Sequence, residues 1–265
     1  MADVEFKIEN SVLWITLNRP EQMGALTADM RDAIIARLAS ARTDLAIRAV
    51  VLTGKGKGFC TGADLSRPPG APVPTEPPPI SATRETLKAG SQRLLRAFWE
   101  FEKPVIAAVN GTAAGLGAHL AFVSDLILVA EGTRFIEVFV RRGIAIDAAG
   151  GFLLPRVMPL AKAKELVFFG DDLPADEAYR LGIVNRVVPG DQLEGLAREW
   201  AERLATGPTY AIGTSKRLLN RGTEADLETC LEEEAFAQTL VSQSDDAREG
   251  LTSFRERRKP AFRGR

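Results

Sequence analysis

Apolar and polar residues change their spacing several times along this chain, and each change marks an element. Val4–Ile8 and Val12–Leu17 carry the apolar and β-branched runs of strands, with Glu9-Asn10-Ser11 as the turn between them. Asn18-Arg19-Pro20 ends that pattern. Thr27 then stands as the N-cap of a helix whose Met30, Ile34, Ile35 and Leu38 share one face. Ala49–Thr53 is a short buried strand, closed by the glycine-rich Gly54–Gly58. A helix is expected from about Thr83 to Glu102, with Leu87, Leu94, Leu95 and Phe98 as its apolar positions. Val105–Val109 is apolar throughout, as in a strand covered on both faces. Asp125–Ala130 is a further strand. Helices are expected over 161–169, 174–181, 191–206, 209–220, 224–242 and 245–257.

This order predicts a layered α/β core over residues 1–195 and a helical C-terminal region over 196–265 that serves oligomerisation. Residues 68–79 interrupt the pattern. Seven of these twelve are proline, which excludes a helix or a central strand. The segment reads as an extended loop, either an insertion without a role or a lid over a pocket.

Composition narrows the function. The chain has 265 residues, 45% of them apolar and 26% charged, enough to bury a core without covalent staples. The formal net charge of −1 gives no basis for binding nucleic acid or a membrane surface. Cys60 and Cys230 form no disulfide framework, and the N-terminus has no signal-peptide core, so the cytoplasm is the expected location. There is a single histidine, His119. A zinc site built on several histidines is impossible, and no metal is expected.

Two glycine-rich corners follow strands: Gly58-Phe-Cys-Thr-Gly-Ala-Asp-Leu65 and Gly111-Thr-Ala-Ala-Gly-Leu-Gly117. Neither fits a P-loop or a dinucleotide-binding pattern. Each is either a tight turn or a helix start whose free N–H groups bind an anion. Side by side, two such corners would hold a developing oxyanion.

These corners, with Leu17-Asn-Arg-Pro-Glu-Gln-Met-Gly-Ala-Leu26, Lys103-Pro-Val-Ile-Ala-Ala-Val-Asn-Gly111, Gly150-Gly-Phe-Leu-Leu-Pro-Arg156, Ala178-Tyr-Arg-Leu-Gly-Ile-Val184 and the tail Phe254–Phe262, resemble the enoyl-CoA hydratase/isomerase (crotonase) superfamily from end to end. The resemblance implies a spiral of ββα units followed by a helical trimerisation region, assembled as a homotrimer or a hexamer of two trimers. It implies an acyl-CoA thioester substrate and no separate cofactor, coenzyme A being part of the substrate. The oxyanion donors would be the N–H groups of Ala63 and Leu116, the latter standing where many relatives have glycine. Coenzyme A would bend around Met23, Gly24, Ala25 and Leu26 and around Gly62, Asp64 and Leu65, with Gly115 and Phe139 also lining the substrate site.

The proton-moving half departs from the family. Two glutamates are expected in hydratases of this kind, and their positions hold His119 and Phe139. Glu137 lies two residues from Phe139 and, on a helix, would point elsewhere. His119 is either a general acid or base or a histidine satisfied within its helix. Asp147 matches a position where some relatives carry a chemically active aspartate. Cys60 reads as a small buried hydrophobe rather than a nucleophile. The basic tail residues Arg255, Arg257, Arg258 and Lys259 either reach a phosphate or form a solvated end. The expected activity is that of an enoyl-CoA hydratase-like lyase. Isomerisation, hydrolysis or dehalogenation through Asp147, and acyl-CoA binding without turnover, stand as alternatives.

Overall fold

The first two strands, β1 (Val4–Glu9) and β2 (Val12–Leu17), form an antiparallel hairpin in which Val4 pairs with Leu17 and Glu9 with Val12. This computed structural model describes residues 2–66 and 79–265. Helix α1 (Ala28–Ala41) begins where expected: the Thr27 hydroxyl accepts the Met30 N–H at 3.2 Å, satisfying one of the free donors of the first turn. The chain then enters β3 (Ala49–Gly54), parallel to β2.

From β3 the chain repeats one manoeuvre. A strand in a large sheet is followed by a short strand in a second sheet, and helices return it to the first. The pairs are β3 with β4 (Gly58–Cys60), β5 (Val105–Val109) with β6 (Thr112–Ala114), and β7 (Leu126–Ala130) with β8 (Arg134–Ile136). Helices α2 (Ile80–Ala89) and α3 (Ser91–Trp99) follow the first pair, and α4 (Leu116–Phe122) the second. Helices α5 (Gly150–Val157) and α6 (Leu160–Phe169) follow the third, then β9 (Asp172–Pro174), α7 (Ala175–Arg180) and β10 (Arg186–Val188). The large sheet has the order β1-β2-β3-β5-β7-β10 and the small one β4-β6-β8-β9. This is the expected α/β spiral of ββα units.

The alternation of side chains in the large sheet explains its two covered faces. Leu13, Ile15, Val50, Leu52, Ala107 and Val109 join the main core with α1, α3 and α4. Trp14, Val51, Ile106, Ala108 and Leu128 lie under α8 (Leu193–Ala205), against Leu193, Ala197, Ala201 and Ala205. The division expected at 195/196 therefore falls inside a helix that covers the sheet. Helices α9 (Thr209–Gly222), α10 (Leu227–Val241) and α11 (Asp245–Glu256) complete the chain. Among the described residues no helix is long and apolar enough to cross a membrane.

The single helix expected over 83–102 is corrected to two. Gly90 leaves helical geometry with ψ −108°, and α3 restarts at Ser91 with Leu94, Leu95 and Phe98 buried. The apolar spacing hid this break because the buried face resumes beyond it. The proline-rich segment lies outside the described residues, apart from Pro79, which precedes α2.

The crossings between sheets are tightly packed. Asn110, after β5, accepts the Gly54 N–H at 3.0 Å and donates to the Gly56 and Gly58 carbonyls at 3.0 and 3.2 Å. One residue into α4, a Cβ on Gly117 would lie 1.9 Å from the Cys60 carbonyl oxygen. Backbone cannot yield as a flexible side chain can, so Gly117→Ala must separate the corners. Overpacking of this kind costs at least about 1–3 kcal/mol. Thermal unfolding of the variant should show a midpoint lower by about 2–12 °C for a chain of this size. An unchanged midpoint would mean the corners are not in contact.

Candidate active site

The two glycine corners lie next to each other because β4 and β6 pair in parallel, Gly58 with Thr112 and Cys60 with Ala113. Both strands end at their corner. Leu26 bridges to Ala63, accepting the Asp64 N–H at 2.8 Å and donating to the Gly62 carbonyl at 2.8 Å. In such a parallel bridge the flanking residues face Leu26, and the N–H of Ala63 points to the opposite side. Leu116 opens α4, so its N–H has no carbonyl one turn back. A Cβ on Gly62 would lie 3.9 Å from the Leu116 nitrogen and 3.2 Å from the Ala114 carbonyl oxygen, which sets the corners in van der Waals range. The Ala63 and Leu116 N–H groups thus belong to adjoining corners at the junction of the sheets.

The segment Met23–Leu26 is tied to this junction. Arg19 donates to the Ala25 carbonyl at 2.8 Å and to the Asp64 carboxylate at 2.7 Å. Met23 takes a left-handed conformation, φ 53°, that turns the chain back toward β4. Gly24 and Leu26 are buried, whereas Leu65 is exposed. The structure thus brings Met23–Leu26 and Gly62–Leu65 together.

Cys60 sits in the first corner with its thiol buried, and burial pushes it up to about 12. It is a packing residue, not a nucleophile. In the tail, Arg258 pairs with Glu249 and Glu256, so this cation is already engaged. Among the described residues no three His, Cys, Asp or Glu side chains converge as a metal cluster.

The remaining groups assemble around His119. It lies on α4, fully buried, with Nε2 3.1 Å from Glu137 Oε2. The Phe139 ring stacks on the imidazole at 5.7 Å and 16°. The helix expected at Glu137 is absent: the residue directly follows β8, and its carboxylate turns inward to His119. The signal was an acidic residue inside the apolar run Phe135–Val140, since a buried charge needs a partner.

Asp147 sits in the turn before α5, half-buried. Burial first of all pushes its carboxyl above the usual range, His119 opposes that shift, and Glu137 adds to it. The turn is strained: Ala148 and Ala149 both have positive φ, 45° and 61°, a conformation that costs alanine roughly 1–3 kcal/mol. Beside it, between α3, α4 and α5, opens a cavity of about 310 Å³ lined in part by Leu95, Trp99, Val123, Ala149, Phe152 and Leu153.

Two adjoining glycine corners, one with an N–H facing away from its own bridge and one opening a helix, suit the polarisation of a carbonyl. The enoyl-CoA hydratase/isomerase family model matches residues 7–265, and the chain belongs to that family. It is 36% identical to the 1,2-epoxyphenylacetyl-CoA isomerase of Escherichia coli, over 97% of both chains. It is 34% identical to the short-chain-enoyl-CoA hydratase of Clostridium acetobutylicum, over 98% of this chain and 97% of that one. A crystal structure of enoyl-CoA hydratase from Bacillus anthracis superposes with a TM-score of 0.91 at 31% identity, covering both chains in full. This protein is accordingly an acyl-CoA-processing enzyme of the hydratase-like class.

The Arg19–Asp64 clamp makes the assembly sensitive to acid. Hydrogen bonding from Ser66, then the ion pair with Arg19, holds the Asp64 carboxyl down to about 2. A depressed carboxyl stabilises the folded state above the ordinary carboxylate range, and that stabilisation is lost as pH falls through the depressed value. Urea unfolding of wild type and Asp64→Asn should differ by a constant amount above about pH 5 and converge between about pH 4 and 2. A gap that does not narrow there would contradict the assignment.

Proposed function

We propose that this chain shifts a double bond in an enoyl-CoA thioester, with the thioester oxygen held by the Ala63 and Leu116 N–H groups and Asp147 carrying the proton. One observation supports this above the rest. Asp147 is the half-open carboxylate of the group, whereas His119 and Glu137 are sealed and Phe139 is an apolar ring. Asp147 removes a proton from one acyl carbon, and the charge spreads onto the thioester oxygen. Two fixed donors stabilise that oxygen more than the neutral ground state. The same carboxylate returns the proton at another carbon, so one group suffices. Coenzyme A is part of the substrate, and the chemistry calls for no resident cofactor or metal.

Hydration of a 2-enoyl-CoA is the second reading. It is favoured by relatives such as the hydratase of Clostridium acetobutylicum and by the ability of a half-open carboxylate to hold a water. The contiguous core and the helices beyond 196 suit a homotrimer or a dimer of trimers. Helix α10 has no buried residue, and its Leu227, Leu231, Phe236 and Leu240 are 44–69% exposed. Such an apolar face suits burial against further copies. The free thiols of Cys60 and Cys230 suit the cytoplasm.

Asp147→Asn should lower kcat for 3-enoyl-CoA isomerisation about 10²–10⁴-fold. It should also raise the unfolding midpoint at neutral pH, because burial disfavours the ionised carboxylate. Retained turnover would remove Asp147 from the reaction. Isomerisation is followed by the absorbance of the conjugated enoyl thioester, and crotonyl-CoA hydration in the same assay separates the two readings.

Leu116→Pro tests the donor. Proline is accepted at the first position of a helix but lacks the N–H. It should cost about 10²–10³ in kcat, while Leu116→Ala, which keeps the donor, stays close to wild type. Equal losses in both would point to the side chain instead.

A further inference from the structure

His119 and Glu137 form a buried polar pair that the polarisation of the thioester leaves unused. Glu137 is 3% exposed and His119 fully buried, and one 3.1 Å contact joins them. That contact leaves His119 Nδ1 and Glu137 Oε1 sealed without a partner among the described residues. An apolar pair of similar volume would be at least as stable there. The surroundings nevertheless fit the ring closely. A Cβ on Gly150 would lie 2.4 Å from His119 Cε1 and 2.6 Å from Nε2, so this position admits no side chain. Phe139 covers a ring face. The Gly150 N–H donates to the Asp147 carbonyl at 2.8 Å, which ties the turn bearing Asp147 to the same spot.

We propose that Glu137 is a positioning residue for His119, and that the pair acts as one buried proton-holding unit behind Asp147. The Nε2···Oε2 contact requires one proton between the two atoms. With that proton in place, Nδ1 is the nitrogen left to gain or lose another, as the hydrogen bond of one ring nitrogen sets the role of the other. Glu137 makes a charged ring tenable inside the protein. The charged ring in turn favours the ionised, base-ready form of Asp147 in a place where burial favours the neutral acid. Among the described residues the titratable group in contact with the ring is Glu137, from the segment after β8; Asp147, in the turn before α5, couples to it through charge, and α4 supplies no other. This role rests on Asp147 being the proton carrier.

The test is Glu137→Gln, which keeps an acceptor for Nε2–H and removes the charge. His119 is the single histidine, so nitrogen NMR on protein labelled in histidine reports one ring without assignment. In wild type at neutral pH both ring nitrogens should carry protons. In E137Q Nε2 should keep its proton and Nδ1 should lose it. With 3-hexenoyl-CoA as substrate, kcat should fall on the order of tenfold to a hundredfold, as for carboxylates that orient a working imidazole. KM should stay within about twofold, because the pair binds no part of coenzyme A. Unchanged kcat together with an unchanged Nδ1 overturns the proposal. If D147N is inactive in that case, the reading of Asp147 stands and only the role of the pair fails. An active D147N instead removes the reading of Asp147 and, with it, the role of the pair. Should E137Q not fold, the wild-type spectrum decides: Nε2 or Nδ1 bare at neutral pH overturns the proposal.

Discussion

The close contact between two glycine corners governs the rest of this molecule. Gly117 meets the Cys60 carbonyl with no space for a side chain, and Asn110 fastens the two crossings with three hydrogen bonds. Strands β4 and β6 are three residues long and would not persist alone. They exist because the large sheet delivers them side by side. The contact then fixes where Ala63 and Leu116 present their N–H groups. Preorganised donors need no rearrangement when charge develops, which is the main source of their effect. Packing of the core and placement of these two N–H groups are thus one geometric condition.

Much of this was legible because the determining signals are local. Thr27 caps its helix, the apolar run Val105–Val109 is a strand with two covered faces, and the glycines mark the corners. Gly90 was missed because the apolar spacing resumes in register beyond the break. Glu137 was missed for a different reason. On a helix, residues two apart diverge, so Glu137 and Phe139 could not both reach one ring. Glu137 instead stands just past β8 and Phe139 in the turn after it, and there both touch His119. The backbone geometry of the segment, not its composition, decided the site, and a short apolar run does not declare that geometry.

The two halves of the site differ in construction. The donors are backbone atoms, held by the parallel bridge at Leu26 and by the start of α4. The groups proposed to move protons are side chains on a strained turn and after a strand end. Ala148 and Ala149 hold a conformation that alanine disfavours, and burial works against the charge of Asp147. Such costs accumulate where geometry serves chemistry rather than stability.

That difference also accounts for the pattern of change. A backbone donor survives replacement of its own side chain, so leucine at position 116 keeps the N–H that glycine would supply. An acid–base group has no such tolerance, since losing the side chain removes the function. With His119 and Phe139 in place of two expected glutamates, the backbone donors keep their N–H groups, and in the proposed mechanism the proton chemistry falls to a carboxylate elsewhere. Asp147 and Glu137 are the candidate carboxylates, one half-open and one sealed, the second in contact with the single histidine of the chain. A sealed carboxylate does not meet substrate, so in the proposed mechanism the contribution of Glu137 passes through the ring. A half-open carboxylate at Asp147 suits the one-base proton shift proposed for this chain.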